Sequence, residues 1–185
     1  MSRPTKFVGP VYDKRTASEL AARHGWDIRQ DGTAWRRVVP SPDPVRIVEL
    51  DQIELLASSG VIVICAGGGG IPVTRDEHGG LHGVEAVIDK DLTAALLATA
   101  VGADALLILT DVPAVISGYG TPRARQIHRA AAAELRAMTF PPGSMGPKVE
   151  AACRFALATG RNAVIGCLGD AAALLAGTAG SVVTP

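Results

Sequence analysis

Four short apolar runs dominate the carboxyl-terminal three quarters of the chain: VIVIC from Val61, DALLILTDV from Asp104, NAVIGCL from Asn162 and SVVTP from Ser181. None alternates apolar with polar residues, as a strand with one wet face would. Each therefore reads as a strand buried on both sides. Between them lie stretches with helical composition: LDQIELLASSG, DKDLTAALLATAVGA, the Ala-rich HRAAAAELRAM, GPKVEAACRFALATG and DAAALLAGTAG. Buried strands alternating with helices predict a parallel sheet covered on both faces, an α/β fold. Residues 1–44 differ. They are polar, Pro-containing and locally basic (AWRRVVPSPDP), with one helix-like stretch, TASELAARHG. A small unit over 1–44 ahead of a larger one over 45–185 is the expected division.

At 185 residues the chain is long enough for one well-filled domain with a small appendage. Lys+Arg and Asp+Glu are both 18, so no charge excess points to nucleic acid or an anionic membrane. Apolar residues make up 48 % and mean hydropathy is +0.25, which excludes wholesale disorder. Cys65, Cys153 and Cys167 lack CxxC spacing and sit in apolar segments, which predicts free thiols. MSRPTKFVG contains no apolar run of signal-peptide type, and the apolar runs are too short to span a bilayer. The expectation is a soluble cytoplasmic protein. His24, His78, His82 and His128 have no metal-ligand spacing and read as surface or loop residues.

Ligands of open parallel sheets gather at the carboxyl ends of strands, and three loops draw notice there. CAGGGGIPV places Gly67, Gly68, Gly69 and Gly70 directly after an expected strand. No GKS or GKT follows, and the spacing is not that of a dinucleotide fingerprint. Four glycines lose much conformational freedom without packing in return, which favours a ligand-facing loop over a merely flexible turn. In VIDKDLTAALL, Asp89 or Asp91 suits a helix cap. Lys90 reads two ways there: a phosphate ligand, or a solvated lysine paired with its own aspartates. In GSMGPKVEAA, Ser144 suits a cap and Pro147 a first turn, with Lys148 immediately inside. A cation at a helix start loses dipole energy unless an anion shares that end, and phosphate is such an anion. On this view, removing Lys148 would weaken nucleotide binding and leave stability unchanged or raised. Asp111, ending LILTD, is equally compatible with a ribose or metal ligand and with a strand-ending turn.

Paired lysines, an acid between helices and a Gly-rich loop, without a Ser or Cys nucleophile constellation, suit phosphoryl transfer. At this point PTKFVGPVY, WRRVVPSP, GGGGIPV, GVEAVIDKDL, LILTDV, GTP and GSMGPKVEAA together resemble the carbamate kinases of the amino acid kinase family. The likeness runs over essentially the whole chain in family order. It implies a three-layer αβα sandwich with a mainly parallel sheet and a small protruding subdomain near the active site. It also implies phosphoryl transfer between ATP and carbamate, giving ADP and carbamoyl phosphate, with Mg2+. Small molecules are then the partners, beside a homo-oligomer or a separate amino-terminal segment.

Carried over by position, the resemblance implies that Lys6 reaches the transferred phosphoryl group from the protrusion. Lys90 and Lys148 would contact the phosphates and Asp91 would orient the lysines. Asp111, Met145, Gly146 and Pro147 would line the nucleotide site, and Gly67 to Gly70 would face the acyl substrate and phosphoryl group. Two departures stand out. Pro113 occupies a position often acidic in related kinases, and no GGN-type segment precedes the protrusion. The nucleotide half is therefore expected to be present and the substrate half missing, as in a truncated or split protein. Uridylate and acetylglutamate kinases are the alternatives within the family, and the protrusion argues against both.

Overall fold

The structure, a computed structural model, describes residues 4–140 and 145–185. It divides into two units, residues 1–43 with 70–89 and residues 44–69 with 90–185.

In the first unit, β1 (Lys6–Tyr12), α1 (Lys14–His24), β2 (Asp27–Asp31) and β3 (Ala34–Val39) precede a hairpin of β4 (Val73–Arg75) and β5 (Leu81–Gly83). The sheet order is β1-β3-β2, antiparallel throughout, with Lys6 opposite Val39. Asp13 sets the start of α1, its Oδ1 accepting from Thr16 N at 2.9 Å. The expected division at 44/45 did not foresee that 70–89 groups with the amino-terminal residues. Two contacts account for it: Val87 N donates to Pro40 O at 3.0 Å, and Arg37 pairs with Glu85.

The second unit holds α2 (Leu50–Ser58), α3 (Lys90–Ala100), β6 (Leu106–Thr110), β7 (Val115–Ser117), β8 (Arg125–Ile127), β9 (Arg129–Ala131) and α4 (Ala132–Arg136). After these come α5 (Met145–Thr159), β10 (Ala163–Cys167), a 3-10 turn (Leu168–Asp170), α6 (Ala171–Leu175) and β11 (Ser181–Thr184). Its sheet runs β6-β10-β11-β9, with β6/β10 and β11/β9 parallel and β10/β11 antiparallel. The faces follow the two-residue period of strands. Leu106, Ile108, Ala163, Ile165 and Val183 join Phe155, Ala151 and Ala152 of α5 in the main core. Leu107, Leu109, Val164 and Val182 face Leu174 of α6 on the other side. Helices thus cover both faces, which is why these strands lack polar alternation. Close approach of α6 depends on absent side chains. A Cβ at Gly166 would lie 2.4 Å from Leu174 Cδ2, and one at Gly180 would lie 2.4 Å from that atom and 2.7 Å from Ile165 O.

One expected strand is absent. Residues 61–65 are not hydrogen-bonded into any sheet among the described residues, and Ile62 and Ile64 are 92 % and 98 % exposed. Val63 and Cys65, one residue on, are half-buried, so the segment keeps strand-like alternation with one bare face. A β-branched run becomes a strand only where a neighbouring strand takes its backbone groups. With Val45, Leu55, Leu56 and Val61 also exposed, residues 45–64 present an apolar surface that no described residue of this unit covers. No helix among the described residues is long and apolar enough to cross a membrane. The three cysteines are free thiols, with Cys153 buried and Cys65 and Cys167 half-buried.

Candidate active site

Within the second unit, the first turns of α3 and α5 bring three charged side chains together. Lys148 Nζ lies 2.9 Å from Asp91 Oδ2, and Lys90 Nζ lies 3.4 Å from Asp91 Oδ1. The Asp91 and Lys148 side chains are only 10 % and 14 % exposed, whereas Lys90 is 57 % exposed. Asp91 suits the positive end of α3, and α5 carries no acidic residue in its own first turn. The carboxylate on α3 therefore supplies the negative charge that the start of α5 lacks. This changes the expectation drawn from the dipole alone: Lys148 is an ion-pair partner of a buried carboxylate, so its removal is expected to destabilise.

Met145, Gly146 and Pro147 form the start of α5 just before Lys148, all half-buried, with Met145 against the main core. Ser144, the expected cap, lies outside the described residues. Asp111 is exposed immediately after the carboxyl end of β6 and accepts a hydrogen bond from Thr110 Oγ1 at 3.1 Å.

The loop after residue 65 has the backbone its glycines permit. Gly67 has φ 45° and Gly69 φ 129°, and Ala66, with φ 61°, is the non-glycine residue drawn into the same left-handed region. A side chain there costs about 1 kcal/mol and persists only where surroundings enforce it. One enforcing contact is evident. Thr93 Oγ1 of α3 donates to Gly69 O at 3.0 Å, with both residues buried. The amides of Gly67 and Gly69 donate to Cys65 O and Ala66 O, so two of the four are committed to the loop itself. Gly70, with φ 87°, opens the second segment of the first unit.

Within that first unit, Lys6 Nζ donates to Asp89 Oδ2 at 2.7 Å, and the Asp89 side chain is 10 % exposed. Sequence reasoning treated Asp89 as a possible cap and did not connect it with Lys6. The acid–base–acid order of Asp89, Lys90 and Asp91 was the available signal. For Thr93 there was none, because a helical threonine reveals nothing about a carbonyl 24 residues earlier.

Among the described residues, no group of three or more His, Cys, Asp or Glu side chains is arranged to hold a metal ion. Asp89 and Asp91 are both engaged by lysines. The local donors do not make a magnesium cage.

The sequence that carries these residues also matches a known family. The profile of the amino acid kinase family fits residues 14–167. The chain belongs to this family. A carbamate kinase of Rhizobium meliloti is 53 % identical over 183 residues, covering 98 % of this chain and 56 % of its own length. A carbamate kinase of Haemophilus influenzae is 51 % identical over 181 residues, at 98 % and 58 % coverage. A crystal structure from Aeropyrum pernix K1 superposes with TM-score 0.90 at 50 % identity, covering 98 % of this chain and 60 % of that one. Carbamate kinase from Giardia lamblia bound to AMP-PNP gives 0.86 at 43 %, with 98 % and 59 % coverage. The chain thus spans less than two thirds of the length of these family members.

Proposed function

We propose that this chain is the nucleotide-binding part of a carbamate kinase, serving reversible transfer of a phosphoryl group between ATP and carbamate. The observation that carries the reading is the Lys148–Asp91–Lys90 cluster at the starts of α3 and α5. Phosphoryl transfer requires positioned positive charge more than a covalent relay. Two ammonium groups and two helix amino termini supply that charge, and Asp91 keeps the lysines in place before a nucleotide arrives.

In this reading Lys90 and Lys148 contact the phosphates, and Met145, Gly146, Pro147 and Asp111 line the nucleotide site. Gly67 to Gly70 face the acyl substrate, and Lys6 stabilises the transferring group. Magnesium, which neutralises phosphate charge in such reactions, would depend on the nucleotide's own oxygens for ligands. The AMP-PNP bound to the Giardia enzyme supports the nucleotide half of the proposal.

A second reading, nucleotide binding without turnover by the chain alone, is favoured by the bare apolar surface of residues 45–64 and by the shorter span. One experiment separates them. Purified chain of verified mass is titrated with ADP and assayed for carbamoyl phosphate-dependent ATP synthesis. Weak ADP binding with little turnover supports nucleotide binding alone. Robust turnover supports the complete kinase, and no ADP binding rejects both.

A further inference from the structure

Asp89 is buried, directly precedes α3, and gives a carboxylate oxygen to Lys6, 83 residues earlier in sequence. The register explains how they meet. Lys6 stands opposite Val39 on β3, and Val87 N donates to Pro40 O, which brings the segment leading to Asp89 alongside the start of β1. As a stability device the pair makes little sense. A lysine side chain 37 % exposed gains little from an ion pair, while the carboxylate loses most of its hydration. The arrangement makes sense if the ammonium must be kept at one place.

We infer that Asp89 is the positioning residue for Lys6, as Asp91 is for Lys148. The inference rests on the proposed role of Lys6 at the transferring phosphoryl group. Asp89 holds the Lys6 ammonium on a short tether, so that it meets the phosphoryl group already oriented. The chain then uses one carboxylate per arm: Asp89 for the lysine of β1, and Asp91 for the lysines of α3 and α5.

The decisive comparison uses Asp89→Asn, since asparagine caps a helix as well as aspartate does but carries no charge. Calorimetric titrations would measure binding of ADP alone and of ADP with aluminium fluoride, a mimic of the transferring phosphoryl group. The expected result is ADP affinity within about twofold of the parent and a loss of about tenfold for the fluoride complex, the usual scale for one charge-assisted contact. Lys6→Met should show the same selective loss, and adding Asp89→Asn to it should change nothing further. Asp89→Glu should recover part of the loss.

Equal weakening of both ligands would overturn the inference, as would an additional loss in the Lys6→Met background. A Lys6→Met chain with an unchanged ratio of the two affinities would also overturn it, whatever the stability of the Asp89 variants. Failure of the parent chain to bind ADP would instead remove the proposed function on which it rests.

Discussion

Replacing Lys148 by alanine is the perturbation whose outcome follows most directly from the geometry. The ammonium lies 2.9 Å from Asp91 Oδ2, with both side chains largely withdrawn from water. Removing one partner of a buried pair costs about 3–5 kcal/mol when the other charge is stranded. Asp91 is not wholly stranded, because Lys90 stays 3.4 Å from its other oxygen, and that lysine is 57 % exposed and weakly held. Taking a cation from the start of α5 returns about 0.3–1 kcal/mol of dipole energy. The net expectation is a destabilisation of about 2 kcal/mol. For a chain of this size that lowers Tm by about 4–8 °C. Thermal unfolding followed by circular dichroism, without nucleotide, measures it. Adding Asp91→Asn should recover part of the loss, since the stranded charge is then gone. In parallel, ADP affinity should fall about tenfold to a hundredfold, the scale of one charge-assisted phosphate contact. An unchanged or raised Tm would refute the ion-pair reasoning. Clear destabilisation with unchanged ADP affinity would refute the phosphate role and leave the lysine purely structural.

Other consequences can be tested beside it. Thr93→Val removes the donor to Gly69 O and should destabilise by about 1–2 kcal/mol, with Thr93→Ser recovering most of it in denaturant titrations. Glu150 is pushed up by burial, but hydrogen bonds from Arg154 and Arg136 outweigh that and hold its carboxyl below the usual range. Its stabilising contribution is therefore present above the ordinary Glu range and lost as pH falls through the depressed value. Glu150→Gln should flatten the acid limb of a stability–pH curve by less than about 1 kcal/mol, because the pair is partly solvated; an unaltered limb would contradict this. The exposed residues Ile62 and Ile64 should drive concentration-dependent self-association in sedimentation experiments. Ile62→Asp with Ile64→Lys should suppress that association, and an unchanged distribution of species would point elsewhere. In a form of the protein that turns over, Lys6→Ala should lower kcat about a hundredfold with little change in ADP affinity.

Local rules explain how much of this was legible. The core strands β6 and β10 and the helices α1, α2, α3 and α5 follow from composition, caps and uninterrupted apolar runs, since both faces of each strand are covered within the same unit. The sequence places a cation, Lys148, at a helix start and so calls for a negative charge nearby. It could not reveal Asp91, which lies 57 residues away and meets Lys148 only through the packing of α3 on α5. The failure at residues 61–65 is of another kind. Propensity reports what a segment would do beside a suitable neighbour, and a strand needs that neighbour to exist. Likewise, the grouping of residues 70–89 with the amino-terminal sheet depends on backbone pairing with Pro40, which no composition shift announces.

The seat of Leu174 against Gly166 and Gly180 also limits how such a sequence can diverge. The two glycines are not equally fixed. At Gly166 the obstacle to a side chain is the Leu174 tip at 2.4 Å, together with Gly180 Cα at 3.2 Å, so a smaller residue at 174 would relieve most of it. Positions 166 and 174 therefore form a compensating pair, open to exchange of volume in two steps if the smaller residue at 174 comes first. Gly180 has no such route. Its φ of 75° suits glycine, and an added Cβ would meet the Ile165 carbonyl oxygen at 2.7 Å, which no side-chain change elsewhere can withdraw. Drift on this face of the sheet is thus free to trade alanine for leucine across one gap, while the turn into β11 stays locked.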